Sequence, residues 1–223
     1  MIRVFIGYDA REAVAYSVLS HSIQTRSSEP VAIAPVMLEQ LPFHDRQRTG
    51  STAFSISRFL VPYLCNFEGW VIFMDCDILC LDDIAKLWFL RDDRYAVQVV
   101  KHDHKPQNRV KFLGAQQTRY PKKNWSSVML MNCDKCKALT PEYVNEATGL
   151  ALHQFHWAHE DWIGEIPPEW NHLVGYSNGS ASLAHFTEGG PWFEGYEHCD
   201  YSDEWRQARA SMLEPEGLSV SGR

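Results

Sequence analysis

Apolar residues along this chain fall into short runs separated by amphipathic stretches, a pattern typical of alternating strands and helices. Residues 3–8 and 31–36 are β-rich runs that predict two strands. Between them the pattern predicts a helix that extends to about residue 24 and has one apolar face: Val14, Val18, Leu19 and Ile23. This β-α-β unit places Tyr8 and Asp9 at the carboxyl edge of a parallel sheet, where open α/β folds bind ligands.

The alternation continues through the rest of the chain. A helical pattern over 54–64 contains Pro62, which we expect to kink or shorten the helix. The later predicted elements are a strand over 71–81, a helix over 82–90, and strands over 95–100 and 127–132. An α/β fold follows from this order.

Two polar segments interrupt the pattern. Residues 101–123 lack a clear period, and they fit either a flap over a binding site or a solvated loop. The polar residues of this segment include His102, His104, Lys105, Arg109, Lys111, Arg119, Lys122 and Lys123. From residue 202 the pattern indicates a helix and a frayed end. We therefore predict one domain over 1–200 and a C-terminal tail over 201–223.

Composition narrows the possible functions. With 223 residues, 45% of them apolar, the chain can bury a substantial core. A formal charge of -7 and the lack of a basic run argue against nucleic acid as the main partner. No stretch approaches the roughly 20 apolar residues of a membrane helix, and the first residues enter a strand instead of a signal peptide. We expect a cytoplasmic protein with reduced cysteines; the lone pair Cys133 and Cys136 is weak evidence for zinc.

The strongest chemical signal is the pair Asp75 and Asp77 in the apolar run over 71–81. Side chains two residues apart on a strand share a face, and two carboxylates side by side repel unless a cation lies between them. Mg²⁺ and Mn²⁺ prefer such oxygen ligands and are commonly shared with phosphate oxygens. The pair therefore indicates a divalent metal and a nucleoside diphosphate, while the alternative is that the acids only end a strand.

Other residues allow more than one interpretation. Arg58 is either a solvated cation on the outer face of its helix or a clamp on phosphate or sugar hydroxyls. His153, His156 and His159 recur every three residues, which is compatible with a zinc face, with the lining of an acceptor site, or with a plain packed helix.

Three segments in the same order resemble the retaining glycosyltransferases of family 8, which include glycogenin and bacterial lipopolysaccharide sugar transferases. They are Val-Phe-Ile-Gly-Tyr-Asp over 4–9, Met-Asp-Cys-Asp over 74–77, and Ala-His-Phe-Thr-Glu-Gly-Gly-Pro-Trp over 184–192. The resemblance implies a GT-A fold with a mixed, mostly parallel central sheet flanked by helices. It also implies a metal ion, usually Mn²⁺ and alternatively Mg²⁺, held by Asp75, Asp77 and His185.

The resemblance also suggests roles for residues around the donor. Tyr8 and Asp9 would contact the base, while Arg58, Cys76, Ser126, Gly189 and Gly190 would lie along the rest of the nucleotide sugar. Glu160 and Asp161 would lie beside the reacting sugar carbon as the catalytic pair. Two features depart from the family pattern: Gly190 replaces a lysine that grips the diphosphate in many relatives, and Trp125 lies in the segment that contacts the donor sugar.

The expected activity is transfer of a sugar from a UDP-sugar to a carbohydrate or glycoconjugate acceptor, with retention of configuration. Two alternatives remain at this point. A sugar-nucleotide-binding protein without transfer activity would fit the missing lysine. A haloacid dehalogenase-like phosphatase also has an Asp-x-Asp strand, although its motif is usually on the first strand and Leu79 replaces its Thr or Val.

Overall fold

The computed structural model describes residues 1–43, 52–105, 114 and 120–214. Nine strands lie within these ranges: β1 Ile2–Gly7, β2 Val31–Val36, β3 Trp70–Met74, β4 Ile78–Cys80, β5 Val97–Val99, β6 Val128–Asn132, β7 Ile163–Glu165, β8 His172–Leu173 and β9 Leu183–His185. Six α-helices accompany them: α1 Ala13–Arg26, α2 Val61–Leu64, α3 Ile84–Trp88, α4 Pro141–Glu146, α5 Gly149–His153 and α6 Ser202–Leu213.

The central sheet has six strands in the order β2-β1-β3-β6-β5-β7. β1 pairs in parallel with β2 and β3, and β5 pairs in parallel with β7. β6 is antiparallel to its neighbours β3 and β5. The prediction of a mixed, mostly parallel sheet is therefore confirmed. A second sheet, in the order β4-β9-β8, lies beyond the acidic motif.

The opening β-α-β unit follows its sequence pattern. Asp9 caps a 3-10 turn over Ala10–Glu12 by accepting a backbone N–H of that turn, and α1 begins directly after it. The apolar face of α1 is buried against the sheets: Ala15, Val18, Leu19 and Ile23. Burial of this face, more than helix propensity, stabilises such a helix.

The prediction of one strand over 71–81 is wrong. β3 ends at Met74 and β4 begins at Ile78 in the other sheet, so the acidic motif lies in the connection. The chain leaves the central sheet here, and its backbone hydrogen-bonding partners change at the same point. The backbone N–H of Asp75 still donates to the carbonyl of Ser127 at 2.9 Å, whereas β4 pairs with β9. A bend, instead of strand alternation, therefore determines where the two carboxylates point.

The helix predicted over 54–64 consists of two short pieces, a 3-10 turn over Ser57–Leu60 and then α2. Pro62 does not kink a longer helix. It lies in the first turn of α2, where a helix has no partner for the missing N–H.

Three later elements have the predicted type and narrower bounds. The helix expected over 82–90 is α3, with Asp83 as its N-cap. The strands expected over 95–100 and 127–132 are β5 and β6.

A small apolar cluster joins the second sheet to α1 and α6. Val18, Leu79, Phe186 and Trp205 are among its buried members. The helix predicted beyond residue 201 is thus α6, which packs on this cluster. The division of the chain at residue 200 stays a prediction.

Much of the polar segment over 101–123 lies outside the described residues, namely 106–113 and 115–119, so the interpretation as a flap stays a prediction. None of the helices in the described ranges has the length and apolarity needed to cross a membrane. All six cysteines are free thiols.

Candidate metal and donor site

The acidic motif and His185 meet where the chain passes between the two sheets. Asp75 and Asp77 lie in the connection from β3 to β4, and antiparallel pairing of β4 with β9 places His185 opposite Ile78. One ligand atom from each of Asp75, Asp77 and His185 lies within 4.8 Å of the others. Their side chains are 13%, 7% and 2% exposed.

This donor set suits a hard divalent cation. Two ligand atoms on opposite sides of Mg²⁺ are about 4 Å apart, close to the spacing found here. Mn²⁺ accepts both carboxylate oxygens and an imidazole nitrogen, whereas Mg²⁺ prefers the oxygen ligands. His185 Nε2 lies 3.4 Å from Oδ1 of Asp77, so a cation placed between these two groups could accept a lone pair from each. The geometry therefore fits a metal centre.

Arg58 supports the first carboxylate. Its Nη1 forms an ion pair with Oδ1 of Asp75 at 2.7 Å and donates a hydrogen bond to the carbonyl of Ser126 at 2.9 Å. The guanidinium lies 5.2 Å from the ring centroids of both Phe54 and Phe73. Arg58 is only 4% exposed, so the interpretation as a solvated outer-face cation is wrong. A direct contact with phosphate stays a prediction.

Ser126 is buried beside this ion pair. Its Oγ lies 2.7 Å from Nδ1 of His153. Burial, and then the nearby charges of Arg58 and a lysine, lower the pKa of His153 to about 3. His153 is therefore neutral at physiological pH, and its contact with Oγ of Ser126 helps to hold the turn that contains this serine.

The three histidines at 153, 156 and 159 do not share a face. α5 ends at His153, while His156 and His159 are exposed and follow the helix. A zinc face is therefore wrong, because the helix needed to align the three rings stops too early. A role of His156 or His159 towards an acceptor stays untested.

Tyr8 and Asp9 lie at the end of β1, as predicted. Tyr8 packs edge-on against Tyr16 with ring centroids 5.5 Å apart. Asp9 accepts hydrogen bonds from Arg11 and from the backbone N–H of Ala53. Burial opposes ionisation of Asp9, but these hydrogen bonds outweigh it and lower its pKa. Asp9 thus has a local structural role, and contact with a base stays a prediction.

Cys76 and the two glycines after β9 are closely packed. Cys76 is fully buried, and burial followed by the charges of Glu12, Asp77 and Asp75 raises the pKa of its thiol well above the usual value. The N–H of Gly189 donates to the carbonyl of Phe186 at 2.9 Å. That N–H is therefore already used within the protein, and contact of Gly189 and Gly190 with the donor stays a prediction.

Gly190 has a steric reason to be glycine. A Cβ at this position would lie 2.1 Å from the ring of Trp192. Any larger residue, including the lysine that many relatives carry, would displace this ring. The departure from the family pattern is therefore built into the local packing.

Glu160 and Asp161 are not brought to the metal cluster by a contact in the described part of the chain. They lie in an exposed 3-10 turn over Glu160–Trp162, and their side chains are 74% and 87% exposed. Glu160 forms an ion pair with Lys122, which is the main reason that its pKa is lowered. A catalytic role for this pair stays a prediction.

Two half-buried histidines and one buried asparagine near His185 were not assigned a role from the sequence: His102, His104 and Asn171. Burial, and then charges including that of His185, lower the pKa of His102 to about 4, and burial followed by Lys123 does the same for His104. Asn171 is fully buried and bonds to His185. The two histidines were noted only as part of a polar loop. Adjacent tryptophan and asparagine at 170 and 171 were the available signal for Asn171.

A cavity of about 340 Å³ lies beside the segment after β9. Its lining includes Tyr176, Glu188, Tyr196 and Asp200. Tyr176 donates a hydrogen bond to Glu188 and packs edge-on against His104 at 4.6 Å. This mixture of aromatic faces and carboxylates can bind a polyhydroxylated ligand.

Residues 21–145 match the family model described as glycosyl transferase family 8. The chain belongs to this family. It is also 45% identical to Protein CDI of Arabidopsis thaliana over 217 residues, which cover 91% of this chain and 84% of that protein. Family 8 membership overturns the phosphatase alternative, and the chain is a glycosyltransferase.

Comparison with solved structures shows that this chain has a GT-A fold. The WbbM bifunctional glycosyltransferase superposes with a TM-score of 0.66 at 14% identity, over 94% of this chain and 49% of its own. GlyE of Streptococcus pneumoniae gives 0.62 at 12% identity, over 95% of this chain and 62% of its own. LgtC in complex with donor and acceptor sugar analogs gives 0.58 at 11% identity, over 96% and 98%. The chain thus spans about half of WbbM and under two thirds of GlyE.

Proposed function

We propose that this glycosyltransferase moves a sugar from a UDP-sugar to a carbohydrate or glycoconjugate acceptor, with Mn²⁺ or Mg²⁺ held by Asp75, Asp77 and His185. The observation that carries the proposal is the convergence of these three side chains within 4.8 Å. The structure of LgtC with donor and acceptor sugar analogs supports the substrate class.

The ion, when bound, supplies charge stabilisation to the diphosphate leaving group as a Lewis acid. The chain's own residues prepare the site for it. Arg58 fixes one oxygen of Asp75 and keeps a second positive charge beside the site. Because the group is buried, the local dielectric constant is low. The attraction of the ion and of Arg58 for an anionic donor is therefore stronger than it would be in water.

Retention of configuration is part of the proposal by family resemblance. Glu160 and Asp161 are the proposed residues beside the sugar carbon. Glu160 is held by Lys122, and its lowered pKa suits an ionised group that stabilises positive charge on the sugar. Tyr176 and Tyr196 in the cavity after β9 are the proposed stacking surfaces for an acceptor sugar.

The central experiment is a calorimetric titration with UDP, ADP, GDP and CDP, each with Mn²⁺ and with a chelator. We expect UDP to bind only with the metal, and Asp77→Ala to abolish that binding. Asp203→Ala is the matched control, because Asp203 is exposed in an ion pair on α6. Equal UDP affinity in chelator would refute the metal site.

A second experiment addresses the reaction. Hydrolysis of a panel of UDP-sugars, followed by proton NMR, gives the preferred sugar and the anomer released first. Retention predicts that the first product has the donor's configuration. Asp161→Asn and Glu160→Gln, compared in single turnovers, then test which carboxylate acts on the sugar carbon. Unchanged rates in both variants would contradict their catalytic role.

A further inference from the structure

We propose that Asn171 is a positioning residue that presents Nε2 of His185 to the metal and ties this ligand to the turn over Trp125–Ser127. The inference deepens the proposed function and rests on it, since His185 is a proposed metal ligand. Asn171 precedes β8, whose parallel pairing with β9 brings Leu173 opposite His185. The side chain of Asn171 is completely buried.

The hydrogen bonds of Asn171 determine the orientation of its amide. One amide atom lies 2.9 Å from the carbonyl oxygen of Asn124. A carbonyl oxygen only accepts, so this atom is the nitrogen Nδ2. The other amide atom is therefore Oδ1, and it lies 2.9 Å from Nδ1 of His185. Because an amide oxygen only accepts, Nδ1 of His185 carries the hydrogen.

This assignment leaves the metal-facing nitrogen free of hydrogen. A neutral imidazole with its hydrogen on Nδ1 has a lone pair on Nε2, and Nε2 faces Asp77. The opposite tautomer would donate Nε2–H to that carboxylate and block metal binding. Metal-binding histidines in proteins commonly bond through their second nitrogen in this way. Asn171 thus selects the tautomer that can coordinate a cation.

The same amide holds a strained segment on the donor side. Asn124 has a left-handed backbone with φ of 65° and begins the turn over Trp125–Ser127. The carbonyls of Ser126 and Ser127 in this turn accept from Arg58 and from the backbone N–H of Asp75. A left-handed conformation in a residue other than glycine needs support from its surroundings. The Asn171 bond to the carbonyl of Asn124 supplies such support.

Two substitutions separate these contacts. Asn171→Asp has nearly the same shape and can still accept Nδ1–H of His185, but it cannot donate to Asn124. Asn171→Leu has a similar size and makes neither bond. Asn145→Leu is the control, because that amide bonds to the carbonyls of Pro42 and Pro141. Circular dichroism and thermal melts verify that each variant folds.

The measurements are Mn²⁺ affinity by electron paramagnetic resonance and donor hydrolysis kinetics. Loss of an outer-shell partner weakens metal affinity by about 10–100-fold, so we expect this loss in Asn171→Leu. Asn171→Asp should keep Mn²⁺ affinity within about threefold of wild type, a change of at most roughly 0.7 kcal/mol. It should still raise the KM for UDP-sugar, since a carboxylate oxygen then faces the Asn124 carbonyl. Mn²⁺ affinity of Asn171→Leu equal to wild type would overturn the inference.

A direct readout of the tautomer needs no variant at position 171. ¹⁵N NMR of metal-free wild type at about pH 8, where histidines are mostly neutral, should show hydrogen on Nδ1 of His185, with His185→Gln identifying the resonance. Hydrogen on Nε2 would overturn the inference. If the hydrogen is on Nδ1 but no Mn²⁺ binds, the proposed function fails while the positioning role of Asn171 stands.

Discussion

Replacing Arg58 with methionine removes a buried cation while keeping much of its length. In the wild type the guanidinium neutralises Asp75 at 2.7 Å and satisfies the Ser126 carbonyl at 2.9 Å. The variant leaves the carboxylate of Asp75 without this partner in a region with little access to water. We therefore expect Arg58→Met to destabilise the metal-free protein strongly.

The magnitude follows from the geometry of the pair. Opposite unit charges about 4 Å apart attract by about 4 kcal/mol at an effective dielectric constant of about 20. Removing one partner of a buried pair costs about 3–5 kcal/mol. Asp75 keeps 13% exposure, so we take the lower end, about 3 kcal/mol. For a domain of this size that is roughly 6–12 °C in Tm.

The assay is urea unfolding followed by tryptophan fluorescence, in chelator and in Mn²⁺. Arg94→Met is the matched control, because Arg94 forms an exposed ion pair with Asp92 and such pairs are worth about 1 kcal/mol or less. In Mn²⁺ the loss of unfolding free energy caused by Arg58→Met should be smaller, since a bound cation again neutralises Asp75. A loss in chelator no larger than that of Arg94→Met would refute the reasoning.

Three further outcomes can be checked with simpler measurements. Gly190→Lys should lower Tm without strengthening UDP binding in calorimetry, because overpacking against Trp192 costs about 1–3 kcal/mol; a stable variant with tighter UDP binding would contradict this. Stability should fall on acidification below about pH 6.5, by about 1.4 kcal/mol per pH unit for each histidine kept neutral, because the unfolded chain then binds protons that the fold rejects. His153, with its pKa lowered to about 3 by burial, should account for part of this slope, and urea unfolding of His153→Phe with an unchanged slope would show otherwise. Cys65, whose pKa is lowered to about 7 by a hydrogen bond with Cys133, should react first with a thiol reagent at neutral pH, and Cys65→Ser should remove that fast phase.

The parts of the fold that depend on local pattern could be predicted from the sequence. The β-α-β opening is one such part, since its strands and helix face follow from nearest-neighbour spacing. The break between β3 and β4 could not be predicted, because β4 is defined by pairing with β9 about 100 residues later. An apolar run alone does not reveal a change of sheet.

The site shows the same division. Asp75 and Asp77 could be named because their residue type and spacing indicate metal chemistry, and His185 because the segment over 184–192 resembles family 8. Asn171 could not be assigned a role, because the adjacent tryptophan and asparagine mark the position without revealing its partners, and its function depends on two bonds, to residues 47 and 14 positions away. Arg58 was ambiguous for a related reason. Its burial between two phenylalanine rings depends on tertiary packing.

The passage of the chain from one sheet to the other at the acidic motif has a mechanical consequence. Asp75 is fastened to the large sheet through Ser127, whereas the carbonyl of Asp77 is fastened to the small one through Phe186. A metal ion bound by both side chains would therefore link the two sheets at this point. When the site is loaded, deuterium uptake should then slow in β9, which carries His185, and also in β8, which pairs with β9 but contributes none of the three proposed metal ligands.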